Sequence, residues 1–467
     1  MDRRDFLKFA GFVVPALSGQ GCTGLLSSPK NSKPNVVLFF IDDMGYADIE
    51  PFGSKKNRTP NLSQMAGEGV KFTAFYSGWT ECSPSRASLL TGCHAGRVSM
   101  DGRVCFPNEP KALSPDEYTM ADMFKSAGYR TGIFGKWHLG HLPGYLPPSH
   151  GFDEYWGIPY SNDMWNKGNK KYPPLAFINN NKPVAIVDDG EDQSLLTRVF
   201  TDRALGFIRK NYQKPFFAYI PYSAVHGPRF GHKDFLERVK DKSDYAAQVE
   251  EIDASVGEVV SLLKELGIDE NTMVLFMSDN GGVKASEKQP LRGRKGRAVY
   301  EGHMRTPVLV RWPGRIAGNK VCSENAITVD LLPTFAALCG GKLSENKIDG
   351  KDISNLLLDP ENGKSPHSVV PYKTEGFRKG KWKLVCVRRR KELYDLENDI
   401  REKKDLAEKY PEIVNDLVSE LERWKKTLDK EKRPNAQMNP CGPLVTETQA
   451  AKLPRLADWM KKTENRH

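Results

Sequence analysis

The sequence has few of the features that define several common protein classes. Its 467 residues include only eight cysteines, too few for a disulfide scaffold, and no cysteine spacing suggests zinc. There is no internal repeat and no run of Lys and Arg longer than residues 388–391, which disfavours a nucleic-acid-binding protein. Beyond residue 22, no segment is apolar for long enough to span a membrane.

The composition predicts a chain that folds around a large core. Hydrophobic residues make up 39% of the chain and charged residues 27%, so we expect one large domain with a smaller appendage. The formal net charge of +10 favours anionic partners, because a positive field concentrates anionic substrates at the surface. A scattered basic surface without a function explains the charge equally well.

The amino-terminal residues have the three parts of an export signal, namely a basic start, an apolar stretch and small residues. The order of residues 3–8, Arg-Arg-Asp-Phe-Leu-Lys, resembles a twin-arginine signal. Cys22 is an alternative site for a lipid anchor, although Gly19 stands where lipoproteins have an aliphatic residue. We therefore expect a periplasmic or extracellular protein, with an outer-membrane lipoprotein as the alternative.

Short apolar runs alternate with helical patterns, which indicates an α/β fold with helices packed on a mostly parallel sheet. Four predicted strands are followed by polar residues: 35–41 by Asp42 and Asp43, 131–134 by Lys136 and His138, 216–220 by His226, and 273–277 by Asp279 and Asn280. Because open α/β sheets bind ligands at the carboxyl ends of their strands, we expect a functional site at that edge.

Helical spacing predicts helices over residues 194–211, 245–266, 330–339 and 411–428. Residues 382–387 and 391–396 favour a short antiparallel sheet in a smaller C-terminal α+β subdomain. The predicted organisation is an export signal over 1–28, a catalytic domain over 29–365, a C-terminal subdomain over 366–432 and an extension over 433–467.

Cys82 is predicted to lie at the N-terminus of a helix, with Ser83 as its cap and Pro84 in its first turn. The helix dipole and Arg86 would both favour an anion there. The pattern indicates a thiol nucleophile or an anion-binding site. A half-buried cysteine at a helix cap has equal weight.

Asp42, Asp43, Asp279 and Asn280 offer hard oxygen ligands at two strand ends, which suits Ca²⁺ or Mg²⁺ better than zinc. Each pair alone is explained by a cap or a turn, and only their joint occurrence favours a metal site. A bound cation would relieve the repulsion between adjacent carboxylates.

Two histidines and two lysines add proton carriers and cations for an oxyanion. Lys136 and His138 are two apart on a segment predicted to be extended, so their side chains would point to one side. His226 and Lys295 are predicted in loops. Spacing alone does not separate His226 from the other histidines, such as His94 and His303.

Taken together, these residues resemble the type I, formylglycine-dependent sulfatase family. The motif of Cys82, Pro84 and Arg86 is the specific part, and Leu90-Thr91-Gly92, Asp42-Asp43, Gly135 to Gly140 and Ser278 to Gly281 follow in the family's order. Residues 146–161 resemble the arylsulfatase A and N-acetylgalactosamine-6-sulfatase branch. The resemblance extends over about residues 35–406, and the extension after residue 433 has no counterpart in it.

This resemblance implies an alkaline-phosphatase-like sandwich in which a maturation enzyme oxidises Cys82 to formylglycine (3-oxoalanine). Asp42, Asp43, Asp279 and Asn280 would bind Ca²⁺, or less favourably Mg²⁺, together with the modified Cys82. By the same resemblance, Lys136, Lys295 and Ser161 hold sulfate oxygens and Arg86 orients the formylglycine. His138 would take a proton as sulfate is expelled, and His226 would assist the leaving group.

The implied activity is hydrolysis of a sulfate ester on a carbohydrate or an aryl group. Related enzymes with the same nucleophile motif attack phosphorus, so a phosphonate or phosphate-diester hydrolase is the first alternative. A non-catalytic protein that binds sulfated glycans through an unmodified Cys82 is the second.

Overall fold

Strands and helices alternate along the chain in a computed structural model, which describes residues 33–287, 290–387 and 389–464. The strands are β1 Asn35–Ile41, β2 Gly69–Phe72, β3 Phe75–Tyr76, β4 Lys111–Ala112, β5 Arg130–Lys136, β6 Glu154–Ile158, β7 Leu175–Asn179, β8 Lys182–Val187, β9 Phe216–Tyr222, β10 Thr272–Ser278, β11 Val308–Arg311, β12 Lys320–Cys322, β13 Ala326–Ile327, β14 Val369–Tyr372, β15 Gly376–Lys379, β16 Trp382–Val387, β17 Arg390–Asp395 and β18 Ala436–Gln437. The helices are α1 Pro60–Gly67, α2 Cys82–Thr91, α3 Met120–Ser126, α4 Gly190–Ser194, α5 Leu196–Asn211, α6 Lys233–Leu236, α7 Asp244–Glu265, α8 Glu301–Met304, α9 Leu331–Cys339, α10 Ser354–Leu358, α11 Pro411–Lys430, α12 Glu447–Ala450 and α13 Leu456–Glu464.

The predicted strands lie at the centre of a large sheet. Among the described residues, ten strands form this sheet in the order β12-β2-β11-β10-β1-β9-β5-β6-β7-β8. The neighbours β10, β1, β9, β5 and β6 are all parallel, so their carboxyl ends lie at one edge. Antiparallel strands flank this block on both sides. The predicted α/β class with a mostly parallel central sheet is confirmed.

Both faces of β1 are buried, which explains its uninterrupted apolar sequence. Alternate residues pack into two separate apolar cores, Val36, Leu38 and Phe40 on one side and Val37, Phe39 and Ile41 on the other. Helices α2, α3 and α9 cover the first face, and α1, α5 and α7 cover the second. This double cover fixes the strand and the residues that follow it.

The predicted elements are present with small changes at their ends. The strand predicted over 131–134 extends over Arg130–Lys136, and the pattern over 194–211 is divided into α4 and α5 at Leu195. The export signal predicted over 1–28 lies outside the described residues. Within the described part of the chain, no helix is both long and apolar enough to cross a bilayer.

The C-terminal part forms the predicted antiparallel sheet, in the order β14-β15-β16-β17, and α11 packs on it through Val414, Leu417 and Leu421. Lys383 on β16 is fully buried, and its Nζ lies 2.9 Å from Glu301 Oε1 and 2.9 Å from Glu402 Oε1. Because Glu301 follows the loop that carries Lys295, this ion pair connects the small sheet to the candidate site.

The residues after Arg433 pack along the large domain. Arg433 Nε lies 2.8 Å from Glu117 Oε1, and β18 pairs with β4. Met438 is buried, and Leu456 on α13 joins the second apolar core. The domain boundaries at residues 29, 366 and 433 stay a prediction.

We expect Lys383→Met to destabilise the protein strongly, because it removes the cation that the buried carboxylates of Glu301 and Glu402 share. Of these two carboxylates, only Glu301 keeps another ion pair among the described residues, with Arg305. Breaking a buried ion pair in this way costs about 3–5 kcal/mol. Urea denaturation followed by tryptophan fluorescence measures the loss. The matched control is Lys379→Met on the neighbouring strand, since Lys379 pairs with Glu420 at the surface and is 46% exposed. Equal shifts in the two denaturation midpoints would contradict the structural role of Lys383.

Candidate functional site

The ends of β1 and β10 bring carboxylates together at one buried point. Ile41 is in register with Ser278, so Asp42 and Asp43 lie beside Asp279 and Asn280. The Asp43 backbone N–H donates to Asp279 Oδ1 at 3.1 Å, and Asn280 Nδ2 donates to Asp43 Oδ1 at 2.9 Å. All four residues are buried. The predicted convergence of these two strand ends is confirmed.

Cys82 is the first residue of α2 and lies against this group. Its Sγ lies 3.4 Å from Asp42 Oδ1 and 3.3 Å from Lys295 Nζ. The prediction of a helix N-terminus is confirmed, but the prediction that Ser83 is the cap is wrong. The helix begins two residues earlier than a cap at Ser83 implies, with Glu81 as its cap. The Ser83 hydroxyl is thereby free to accept the backbone N–H of Cys105 at 3.0 Å.

Arg86 lies one turn along α2 and bridges two of the carboxylates. Its Nη2 lies 3.4 Å from Asp42 Oδ2 and 3.3 Å from Asp279 Oδ2. Its Nη1 donates to the Lys136 carbonyl at 2.8 Å. Because the guanidinium is fully buried and held on both sides, it fixes α2 relative to the strand ends.

Two lysines complete the cationic side of the site. The Lys136 ammonium pairs with Asp42 and donates to Ser161 Oγ at 2.9 Å, and Lys295 Nζ lies 2.7 Å from Asp43 Oδ1.

Gly135 precedes Lys136 with φ of 147°, and a Cβ there would lie 2.1 Å from the Pro221 carbonyl oxygen. The close approach of β5 and β9 therefore requires glycine at this position.

His138 reaches the site in a way that the sequence did not predict. Its φ is 62°, so the residue is left-handed and not part of an extended segment. Its Nε2 lies 3.0 Å from the Cys105 carbonyl, which can only accept, so Nε2 carries the hydrogen. The buried Nδ1 has no hydrogen-bond partner among the described residues. Burial, followed by Lys136 and Arg86, holds the pKa of His138 well below its usual value, so the ring is neutral and Nδ1 can accept a proton.

His226 lies at the rim of the same group, following β9. Its Nε2 lies 3.7 Å from Asp43 Oδ2, and its side chain is 15% exposed. Burial lowers the pKa of His226, and the Asp43 carboxylate opposes this shift. The structure distinguishes His226 from His94 and His303. His94 packs against Trp424, and His303 lies beside Tyr300.

The pKa of Asp42 is shifted in the opposite direction to those of Asp279 and Cys82, although burial acts on all three in the same sense. Burial alone would raise the pKa of Asp42. Four nearby cationic or basic groups instead hold that pKa well below its usual value, namely Lys136, His226, Arg86 and Lys295. Burial and the Asp42 carboxylate raise the pKa of Asp279 to about 7. The same two causes raise the pKa of the Cys82 thiol to about 12. The protein's own charges therefore do not activate Cys82 as a thiolate.

The donor atoms fit a hard divalent cation. One ligand atom from each of Asp42, Asp43, Cys82 and His226 lies within 4.8 Å of the others. Asn280 Oδ1 is buried and accepts no hydrogen bond among the described residues. Carboxylate and amide oxygens of this kind suit Ca²⁺ or Mg²⁺.

Sequence reasoning missed two residues that contact the predicted ones. Cys105 acts through its backbone, which accepts from His138 and donates to Ser83, and backbone contacts leave no signal in the residue type. Asp163 Oδ1 lies 3.9 Å from His226 Nδ1. Its position two residues after Ser161 was the available signal.

The chain matches known sequence families over most of its length. A family model described as Sulfatase matches residues 34–341, and one described as N-sulphoglucosamine sulphohydrolase, C-terminal, matches residues 294–427. Arylsulfatase A of Homo sapiens is 37% identical over 366 residues, which are 72% of this chain and 70% of that protein. N-acetylgalactosamine-6-sulfatase of Rattus norvegicus is 37% identical over 368 residues, 74% of this chain and 69% of that protein.

A solved structure gives the same result for the fold. The crystal structure of Ps i-CgsB in complex with k-i-k-neocarrahexaose superposes with a TM-score of 0.76 at 30% identity, covering 86% of this chain and 95% of that chain. The predicted family, its branch and the alkaline-phosphatase-like fold are confirmed.

In a chain that retains Cys82 as cysteine, we expect slow alkylation of its thiol. A pKa of about 12 leaves about one thiolate in 10⁴ at pH 8, and the side chain is buried. Iodoacetamide labelling followed by peptide mass spectrometry compares Cys82 with the exposed Cys441, and urea-unfolded protein is the control in which both react. All seven cysteines of the described residues are free thiols, so no disulfide blocks the labelling of Cys82 or Cys441. Labelling of folded Cys82 as fast as that of Cys441 would contradict the shift.

Proposed function

This chain belongs to the sulfatase family and is a sulfatase enzyme, and from that premise we propose that it hydrolyses sulfate esters of carbohydrates with a formylglycine made from Cys82 beside Ca²⁺. The observation that carries the proposal is the convergence of Cys82, buried carboxylates and cations at one sheet edge.

The carboxylates of Asp42, Asp43 and Asp279, with the amide oxygen of Asn280, would hold the cation. Support comes from the unpartnered Asn280 Oδ1 and from the pKa of Asp279, which is raised to about 7 by burial and by Asp42. A divalent cation favours the ionised form of such a group and reduces the repulsion among the carboxylates. Ca²⁺ suits this all-oxygen set, with Mg²⁺ as the alternative.

Formylglycine is supported by the state of the unmodified residue. The Cys82 thiol has a pKa raised to about 12, so it is a poor nucleophile on its own. When present, formylglycine would supply an aldehyde hydrate as the nucleophile, and Ca²⁺ would supply a Lewis acid for the sulfate. A maturation enzyme that recognises Pro84 and Arg86 is the implied partner.

The chain's own cations would bind the sulfate group. Lys295 Nζ lies 3.3 Å from Cys82 Sγ, Lys136 pairs with Asp42, and Ser161 adds a hydroxyl beside Lys136. As the ester bond breaks, negative charge moves from the sulfate oxygens towards the bridging oxygen, and fixed cations stabilise that change without reorganising. Arg86 keeps residue 82 aligned with the aspartates.

Proton transfer is assigned to the two histidines. The lowered pKa of His138 keeps its ring neutral, and its buried Nδ1 has no hydrogen-bond partner among the described residues, so it is the group assigned to take the proton as sulfate is expelled. His226 lies at the more exposed rim, where a leaving alcohol departs, and would assist that oxygen. Their separate surroundings support separate roles.

The substrate class follows from the relatives. The curated N-acetylgalactosamine-6-sulfatase and the structure with a bound neocarrahexaose are the basis for proposing a sulfated glycan. We also propose export to the periplasm or beyond, on the basis of the twin-arginine-like residues 3–8. Cell fractionation tests that location.

We expect Cys82→Ala to lower sulfate release from p-nitrophenyl sulfate by at least about 10³-fold while the fold is retained, because it removes the nucleophile. The matched control is Cys386→Ala in the C-terminal sheet, which should keep full activity. In the native enzyme, mass spectrometry of the peptide around residue 82 should show the loss of mass expected when the CH₂–SH side chain becomes CHO.

Two outcomes would overturn this assignment. Undiminished turnover by Cys82→Ala would show that residue 82 is not the nucleophile. A faster rate on an aryl phosphate diester than on the aryl sulfate would favour the phosphorus-directed alternative.

We expect Asp279→Asn to weaken Ca²⁺ binding by about tenfold or more, because it removes a charged ligand from the site. Isothermal titration calorimetry with Ca²⁺ measures this directly. Asp253→Asn is the matched control, since Asp253 is buried on α7 and accepts hydrogen bonds from Asn61 and Leu62. Equal Ca²⁺ affinity in the Asp279 variant and the native chain would contradict the proposed ligand set.

A further inference from the structure

Three side chains form an aromatic platform beside the candidate site. The rings of Phe106 and Tyr172 are nearly parallel, at 8°, with centroids 6.4 Å apart, and both residues are half-buried. The Arg103 guanidinium lies 4.8 Å from the centroid of the Phe106 ring, and its side chain is 73% exposed. The aromatic platform (Arg103, Phe106 and Tyr172) thus joins two partly exposed rings to an exposed cation.

The backbone of Cys105 links one side of the aromatic platform to Ser83, the residue after Cys82, and to His138. Cys105, the residue before Phe106, donates its backbone N–H to Ser83 Oγ at 3.0 Å. Its carbonyl accepts from His138 Nε2 at 3.0 Å. Because Ser83 follows Cys82 directly, the backbone of Phe106 is one residue away from contacts to both active groups.

The other side of the aromatic platform adjoins the rim at His226. Asp163 Oδ1 lies 3.9 Å from His226 Nδ1. Burial and then the Asp163 carboxylate raise the pKa of Tyr172, which means that the two side chains are within electrostatic range. The aromatic platform is therefore connected to the His138 side of the site through the Cys105 backbone, and Tyr172 lies within electrostatic range of Asp163, which adjoins His226.

The loop that carries Arg103 and Phe106 has no regular secondary structure, but several hydrogen bonds hold it in place. The ammonium of the half-buried Lys111 donates to the carbonyls of Met100 at 3.3 Å, Asp101 at 2.7 Å and Arg103 at 2.9 Å. The C-terminal extension adds a hydrogen bond from Ser99 Oγ to the Arg433 carbonyl at 2.6 Å. A surface that is ordered in advance binds a ligand with a smaller loss of conformational entropy.

We propose that the aromatic platform is a glycan subsite that binds a sugar ring of an oligosaccharide bearing a second anionic group, and this inference rests on the proposed sulfatase function. Flat aromatic faces pack against the apolar C–H face of a pyranose ring. The exposed Arg103 pairs with a carboxylate or a further sulfate in bidentate fashion. Glu109 lies 3.2 Å from Arg103 and keeps the guanidinium oriented until the anion arrives.

The test compares a disaccharide with a small aryl sulfate on the full-length enzyme. The probes are p-nitrophenyl sulfate, a monosulfated disaccharide with a uronate carboxylate, and a disulfated disaccharide without a carboxylate. Each disaccharide is measured as a substrate and as a competitive inhibitor of p-nitrophenyl sulfate hydrolysis. The variants are Phe106→Ala, Tyr172→Ala and Arg103→Ala.

Two substitutions in the C-terminal subdomain serve as matched controls. Tyr410→Ala removes a ring that lies 5.1 Å from Trp382 in a similar cluster with Lys381. Arg423→Ala removes an arginine that is 70% exposed and lies 3.9 Å from Glu420. Neither lies near the site.

We expect the ratio of disaccharide KM or inhibition constant to aryl sulfate KM to rise about tenfold in Phe106→Ala and Tyr172→Ala, with no change in the controls. Arg103→Ala should weaken the binding of only that disaccharide whose second anionic group pairs with Arg103. The affected probe then shows whether this group is a carboxylate or a second sulfate.

Three results would overturn the subsite: unchanged ratios in the ring variants, an Arg103→Ala effect equal to that of Arg423→Ala, or a native enzyme that binds neither disaccharide more tightly than p-nitrophenyl sulfate. Failure of the native enzyme to release sulfate from any probe would instead reject the proposed function.

Discussion

The burial of three carboxylates at adjoining strand ends is the constraint on which the rest of this structure depends. Isolated buried carboxylates are costly, so Asp42, Asp43 and Asp279 require cations around them. Arg86 and Lys136 reach them from α2 and β5, whereas Lys295 comes from a loop. The same arrangement provides acidic oxygens for a divalent ion and cationic groups for an oxyanion, which is what sulfate-ester hydrolysis requires.

The outer parts of the chain hold the loops that complete this centre. In the part of the chain after residue 366, Tyr394 and the Glu402 carbonyl accept hydrogen bonds from Arg292, near Lys295. The extension is attached to the segment before Phe106 through the Arg433 carbonyl. Thus the large sheet fixes the charged centre, while the two later regions fix the surfaces around it.

The sequence predicted the parts of the site that depend on regular structure. The continuous apolar run before Asp42 identified a strand buried on both faces, and Pro84 identified the start of a helix. What could not be predicted depends on backbone geometry and on pairing between distant segments. The left-handed His138, its bond to the Cys105 carbonyl and the choice of His226 arise from the spatial order β10-β1-β9-β5, which differs from chain order.

The most direct test of the central claim is anomalous diffraction from crystals of the mature enzyme grown with Ca²⁺, with Mn²⁺ substitution to strengthen the signal. We predict one peak bounded by oxygens of Asp42, Asp43, Asp279 and Asn280 and adjoining residue 82. A map with no peak among these residues, or with the cation bound elsewhere while Lys136 and Lys295 stay paired with the aspartates, would contradict it.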